Sequence, residues 1–362
     1  MDLRTVLHVI PAAPFGGAQR LAVDLAQAQN RAGLEARIWF TNAGSAARDA
    51  ALAAGLNVAG PVDGGGATWR RIRALRSGLR TQGVDVVHLH LPPPWFVAAA
   101  SRRRNFVLVT HLHVQPPIGV RSRASAGWTR TKLHGVTLSR SDVLISISRW
   151  IEDAWRSAYP GITTPSRIVY NGTNIQSAVP RRKDTSVMGI ATRLSPQKGV
   201  EEFLDLAARI HALAPHMRFR VAGEGPMRSE YEDRASLLGL RDVLAFSGFE
   251  PDIAAFWRDV DIGAFTAPSE PFGLRLIEPV AHGVPVIAYR NGSGSDEVIE
   301  RCRGIAAVDY GQVEELAAVA IALASSREKR ERAASDGIED LGRFFSIEKM
   351  EAEIRGIYRQ LA

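Results

Sequence analysis

Twice in this chain an apolar, β-rich run breaks into a glycine-bearing loop and then into an amphipathic helix. Residues 5–10 (TVLHVI) pass through PAAPFGGAQR to a helical pattern over 18–32, with Leu21, Leu25 and Ala28 on one face. Residues 187–191 (VMGIA) pass through TRLSPQKG to a second helical pattern over 199–212. Short strands joined by helical crossovers pair in parallel, because a tight hairpin cannot reverse the chain in the right sense. Further strands are predicted at 37–40, 84–88, 106–110 and 143–147, then at 219–222, 243–246 and 261–266, with a helix at 227–238. The fold class is therefore α/β, with two Rossmann-like doubly wound parallel-sheet domains facing a central cleft. The boundary falls within 171–184. Residues 1–175 form one domain, 176–345 the other, and 346–362 a terminal helix that packs back across the junction.

Length agrees, since 362 residues exceed what one core usually organises. The only cysteine is Cys302, so no internal disulfide can form, and a reducing compartment is expected. No apolar run approaches the roughly 20 residues of a membrane span, and the opening MDLRTVLHVI reads as a strand rather than a signal peptide. The expected location is cytoplasmic. Charge is divided unevenly. Residues 1–183 carry 24 Lys and Arg against 9 Asp and Glu, whereas the remainder carries 21 against 29. Two halves of opposite sign imply different ligands. The stretch WRRIRALRSGLR (69–80) is a basic amphipathic pattern, expected first as a surface helix on the sheet and second as a peripheral contact with an anionic membrane. No interleaved aromatic pattern supports nucleic-acid binding.

In open α/β sheets ligands sit beyond the carboxyl ends of the strands, so the loops there carry the chemistry. Gly16 and Gly17 precede the first helix, where backbone amides and the helix dipole favour an anion. Arg193 and Lys198 flank the corresponding loop of the second half, and two cations near a helix start suit a diphosphate. Gly223 and Gly225 form a GxG that a tight turn explains as well as a nucleotide does. Asp259 and Asp261 spell a DxD, read here as a helix end and a structural residue rather than a metal site. His88/His90 and His111/His113 form two HxH pairs at predicted strand ends; polar substrate contacts are favoured over a metal, because no third ligand type follows at a suitable spacing. In EPFGLRLIEPVAHGVPVIAY (270–289), a loop carrying Glu270 and a helix beginning near Gly273 place Glu278 in the second turn.

Together these segments resemble the family-4 glycosyltransferases of the GT-B fold, over nearly the whole chain. The resemblance rests on GGAQR, DVVHLH, SISRW, VYNGTN, TRLSPQKG, VAGEGP, FSGFEPD and the E-x7-E segment APSEPFGLRLIEPVAHGVPVIAYRNGSGSDEVI. It implies a retaining, metal-independent hexosyltransferase without a cofactor. The donor would be a UDP- or GDP-sugar held by the second domain, and the acceptor a hydroxyl of unspecified kind meeting the first. Arg193 and Lys198 would bind the diphosphate, with Gly16 and Gly17 approaching it. Glu278 would take the ribose, and Glu270 the transferred sugar. The amides of Phe272, Gly273 and Leu274 would approach sugar or phosphate. The family's functional histidine corresponds to His113, with His111 as the alternative.

This chain departs from the family in two places. Its segment before Glu270 is about two residues shorter, and Arg275 replaces an apolar or small residue, either tuning the donor toward an acidic sugar or reaching solvent. The basic loop 119–132 is the expected acceptor surface. Two other classes compete with the leading reading: a degenerate nucleotide-sugar-binding or partner protein, and a metal-dependent hydrolase built on the HxH pairs.

Overall fold

The structure, a computed structural model, describes residues 3–10, 16–40, 46–59, 83–90, 105–116, 135, 138–175 and 186–362. The expected helix at 69–80 and the loop 119–132 lie outside the described residues. The chain forms two compact units, Met1–Gly172 with Ile347–Ala362, and Thr173–Ser346.

The first unit holds β1 (Thr5–Ile10), α1 (Gly17–Arg31), β2 (Glu35–Phe40), α2 (Ala46–Ala53), β3 (Asn57–Ala59), β4 (Val86–His90), β5 (Val107–Leu112), β6 (Val143–Ser146), α3 (Arg149–Ala158) and β7 (Ser166–Ile168). Its sheet runs β3-β2-β1-β4-β5-β6-β7, all parallel. The second unit holds β8 (Val187–Ala191), α4 (Val200–Leu213), β9 (Arg218–Ala222), α5 (Arg228–Leu237), β10 (Leu244–Gly248), α6 (Ile253–Arg258), β11 (Ile262–Phe265), α7 (Leu274–Ala281), β12 (Val286–Arg290), α8 (Gly294–Ile299), β13 (Ile305–Asp309), α9 (Val313–Ala324) and α10 (Arg327–Phe344). Its sheet runs β10-β9-β8-β11-β12-β13, again parallel. In each sheet the order reverses beside the unit's first strand, between β1 and β4 and between β8 and β11. Those two reversals are where a doubly wound sheet opens a crevice for ligands.

The last helix, α11 (Ile347–Leu361), belongs to the first unit. Ile347, Met350, Ile354 and Tyr358 recur at intervals of three and four, are fully buried, and join Val6, Leu21, Leu25, Val86 and Val109 in one core.

A carboxylate immediately before a strand ties that strand to its neighbour's start in both units. Asp85 Oδ2 accepts from the amides of Arg4 and Thr5, each at 2.8 Å. Asp142 does so for Leu108 at 2.8 Å, and Asp261 for Val187 at 2.9 Å. Strand starts leave amides that the ladder does not reach, so a side-chain acceptor there satisfies groups that burial would otherwise penalise. The DxD is accounted for in this way, with Asp259 capping α6 and pairing with Arg220 at 3.2 Å.

Several boundaries differ from expectation: β2 begins at Glu35 rather than at 37, and β10 spans Leu244–Gly248 rather than 243–246. The fourth strand starts two residues later than the predicted 84 and ends two later, so His88 lies inside β4 and His90 closes it. Their placement follows from parallel pairing with β1 and β5, which buries every residue of β4 and overrides local pattern.

Candidate functional site

The loop after β8 is held by backbone packing. Gly223 lies at φ +130°, and a Cβ there would stand 1.8 Å from the Thr192 carbonyl oxygen. The GxG is thus a close approach between two loops, which only glycine permits. Gly199 at φ +76° plays the matching part before α4, packed against the backbone of Thr266 and Ala267 beyond β11, with the Thr266 hydroxyl donating to its carbonyl. These contacts deliver Thr192 and Lys198 to the carboxyl ends of β8 and β11.

Glu270 meets them there. Ser293 accepts the Glu270 amide at 3.0 Å, the Ser295 amide donates to the Glu270 carbonyl at 3.2 Å, and Asn291 Nδ2 donates to Ala267 at 2.9 Å. The Glu270 carboxylate lies between two cations, Lys198 Nζ at 3.2 Å and the Arg275 guanidinium in direct contact. Arg275 also donates to Thr192 Oγ1 at 2.7 Å and to the Lys198 carbonyl at 3.2 Å, and its guanidinium lies 5.3 Å from the Phe265 ring centroid. The side chains of Glu270 and Arg275 are only 16% and 18% exposed. Burial by itself would raise the Glu270 carboxyl pKa; the charges and hydrogen bonds of Arg275 and Lys198 outweigh it and hold the carboxyl below its ordinary range. Glu270 is an anion fixed in position and ready to meet positive charge.

Arg275 is therefore largely withdrawn from solvent. It is the keystone of the cluster, a role invisible to local pattern because its partners Thr192 and Lys198 lie about 80 residues away in the chain. Gly273, at φ +101°, caps α7. The amides of Gly273 and Leu274 fall before the first intrahelical bond, and Phe272 is buried against Phe345 with ring centroids 5.8 Å apart. Glu278 is half-buried in the second turn of α7, and Arg193 is exposed in the loop after β8. In the first unit, Gly16 and Gly17 are exposed at the start of α1.

The histidine pairs lie at or near the carboxyl ends of β4 and β5, buried rather than exposed. His8, His88, His90, His111 and His113 are at most 5% exposed and share one face of β1, β4 and β5. The rings of His88 and His90 stack with centroids 4.5 Å apart, and those of His111 and His113 at 4.1 Å. One hydrogen-bonded chain joins Gln29, His8, His90 and His113 at 2.6, 2.9 and 2.9 Å. A second joins Tyr358, His88 and His111, the latter two at 3.1 Å. Desolvation lowers every one of these imidazole pKa values, to about 4 for His8 and about 3 for His113. Neighbouring imidazoles lower those of His88, His90 and His111 further.

His8 adds a fifth imidazole to the two HxH pairs. Nitrogens of His8, His88 and His90, and of His90, His111 and His113, lie within 4.8 Å of one another. A lone histidine inside an otherwise apolar strand was the overlooked signal.

Two Rossmann-like units of parallel sheet, with a fixed carboxylate and cations at a strand reversal, define a glycosyltransferase of the GT-B fold. Similar proteins agree. The model described as "Glycosyltransferase Family 4" matches residues 15–177, and "Glycosyl transferases group 1" matches residues 173–340. The chain belongs to the family-4 glycosyltransferases.

Among its relatives, the lipopolysaccharide core biosynthesis mannosyltransferase LpsB of Rhizobium meliloti is 30% identical over 48% of this chain and 51% of its own. The uncharacterised glycosyltransferase MJ1178 of Methanocaldococcus jannaschii is 22% identical over 78% of each. The match with LpsB thus spans about half of that protein's length. Anabaena Alr3699/HepE, solved with UDP, superposes with a TM-score of 0.79 at 20% identity, over 99% of this chain and 100% of that one. Among the described residues no helix is long and apolar enough to cross a membrane.

Proposed function

We propose that this glycosyltransferase is a retaining, metal-independent hexosyltransferase that moves a sugar from a UDP- or GDP-sugar to a hydroxyl of a glycan, lipid or natural product. The observation that carries this reading is the Lys198–Glu270–Arg275 cluster. Cleaving a sugar–phosphate bond builds negative charge on the diphosphate and positive charge near the anomeric carbon. A fixed carboxylate favours the second, and cations beside it favour the first without a metal. Lysine holds Glu270 with one of three N–H donors, so its remaining donors can reach phosphate oxygens while the pair persists.

On this reading Lys198 and Arg193 bind the diphosphate, helped by Gly16 and Gly17. Glu278 accepts from the ribose hydroxyls, and the amides of Phe272, Gly273 and Leu274 reach sugar or phosphate. Glu270 orients the transferred sugar, and His113 meets a sugar hydroxyl. Solved complexes of Anabaena HepE with UDP and with UDP-glucose favour a uridine donor. The same kinship weighs against a metal-dependent hydrolase.

Thermal unfolding in the presence of a panel of UDP- and GDP-sugars tests the reading. One member should stabilise the wild type by about 2.7 kcal/mol at a hundredfold excess over its Kd. Lys198→Ala and Glu278→Ala should abolish most of that gain. A panel without effect, or variants stabilised as strongly as the wild type, would remove the assignment.

A further inference from the structure

Proton positions along the longer histidine chain are determined at its inner end. Gln29 Oε1 can only accept, so His8 donates to it from Nε2 across 2.6 Å. A neutral imidazole carries one proton, which leaves His8 Nδ1 as an acceptor for His90 Nε2–H at 2.9 Å. The same step repeats, with His90 Nδ1 accepting from His113 Nε2–H at 2.9 Å. His113 then carries its proton on Nε2 and presents Nδ1 as a lone pair. Burial keeps all three rings neutral, as this ordering requires.

The direction of the chain matters as much as its polarity. His8 pairs laterally with His88, and His90 with His111, so each step moves one strand across and two residues toward the carboxyl ends. It begins on α1 at fully buried Gln29 and ends at His113, one residue past β5. The parallel chain starts at the Tyr358 hydroxyl, a neighbour of Gln29 that can donate or accept. It ends on His111 Nε2, which is buried and without a partner among the described residues.

We propose that Gln29, His8 and His90 are positioning residues that fix the Nε2–H tautomer of His113, so that His113 meets a substrate hydroxyl as a hydrogen-bond acceptor through Nδ1. The second clause rests on the reading of His113 given under Proposed function. An imidazole free to exchange tautomers would spend part of its time presenting N–H to a hydroxyl that must donate. The ordered chain removes that loss.

Long-range proton–nitrogen NMR on full-length protein labelled with ¹⁵N-histidine reads the tautomer directly. In the wild type, His113 should show a protonated Nε2 and a bare Nδ1; a proton on Nδ1 overturns the proposal without any variant. Gln29→Met keeps the side-chain length but removes the acceptor, and should give His113 mixed tautomers. Gln29→Glu restores an acceptor and should restore the single form. An unchanged His113 spectrum in Gln29→Met also overturns the proposal. With UDP-glucose as probe, UDP release should fall about tenfold in kcat for Gln29→Met, with KM within about twofold, and recover in Gln29→Glu. Scrambled tautomers with unchanged UDP release would leave the chain's ordering standing and refute the place of His113 in the reaction.

Discussion

Mild acid should destabilise the first unit through its histidines. Five imidazoles are buried there as neutral rings, with pKa values below the ordinary 6.5. Below pH 6.5 the unfolded chain takes up protons that the folded unit refuses, so stability is complete above that value and falls as the pH drops toward the folded pKa values. At pH 5.5 each exposed imidazole gains about RT ln 11, or about 1.4 kcal/mol, and five gain about 7 kcal/mol. A domain margin is about 5–15 kcal/mol, so the first unit should be near its limit between about pH 5 and 5.5. Because two units need not unfold together, hydrogen exchange of the β1 and β4 amides is the right probe, compared with β8 and β11. Protection in β1 and β4 should collapse between pH 7 and 5.5, after correction for intrinsic exchange rates. A loss below about 1 kcal/mol over that interval would refute the neutral, buried cluster. His8→Gln should weaken the pH dependence by about one proton.

Three further outcomes follow from the second unit. Arg275→Met removes a charged hydrogen bond from the Glu270 carboxylate and contacts to Thr192 and Lys198, so urea unfolding should show a loss of about 2–4 kcal/mol, and nucleotide-sugar stabilisation should weaken. A change below 0.5 kcal/mol, on the order of an ordinary surface substitution, would show that the cluster carries no such energy. Gly223→Ala puts a methyl group against the Thr192 carbonyl and strains a left-handed residue; thermal melts should drop by the equivalent of about 3 kcal/mol or more, and an unaffected melt would contradict the loop packing. Asp261→Ala leaves the Val187 amide without its acceptor, and exchange at that amide should quicken with a stability loss of about 1–3 kcal/mol.

Local pattern revealed the alternation of strand and helix, the repeated opening and the loop-to-helix geometry around Glu270. It revealed less where pairing decided the outcome. β3 and β7, three residues each, exist because a neighbouring strand offers an edge, and three residues carry no period of their own. The bounds of β4 moved for the same reason, taking His88 inside.

The order of apolar, glycine and charged residues along the chain was enough to determine a doubly wound α/β fold, its family, which loops hold Arg193, Lys198 and Glu270, and which helix carries Glu278. Side-chain partnership was not written there. Arg275 meets Thr192 and Lys198, Gln29 meets His8, and His8 meets His90, only because parallel strands and the helices packed on them bring residues tens of positions apart side by side. Periodicity reports the face on which a residue lies. What stands beside it on that face is decided by strand order, and strand order is a property of the folded sheet.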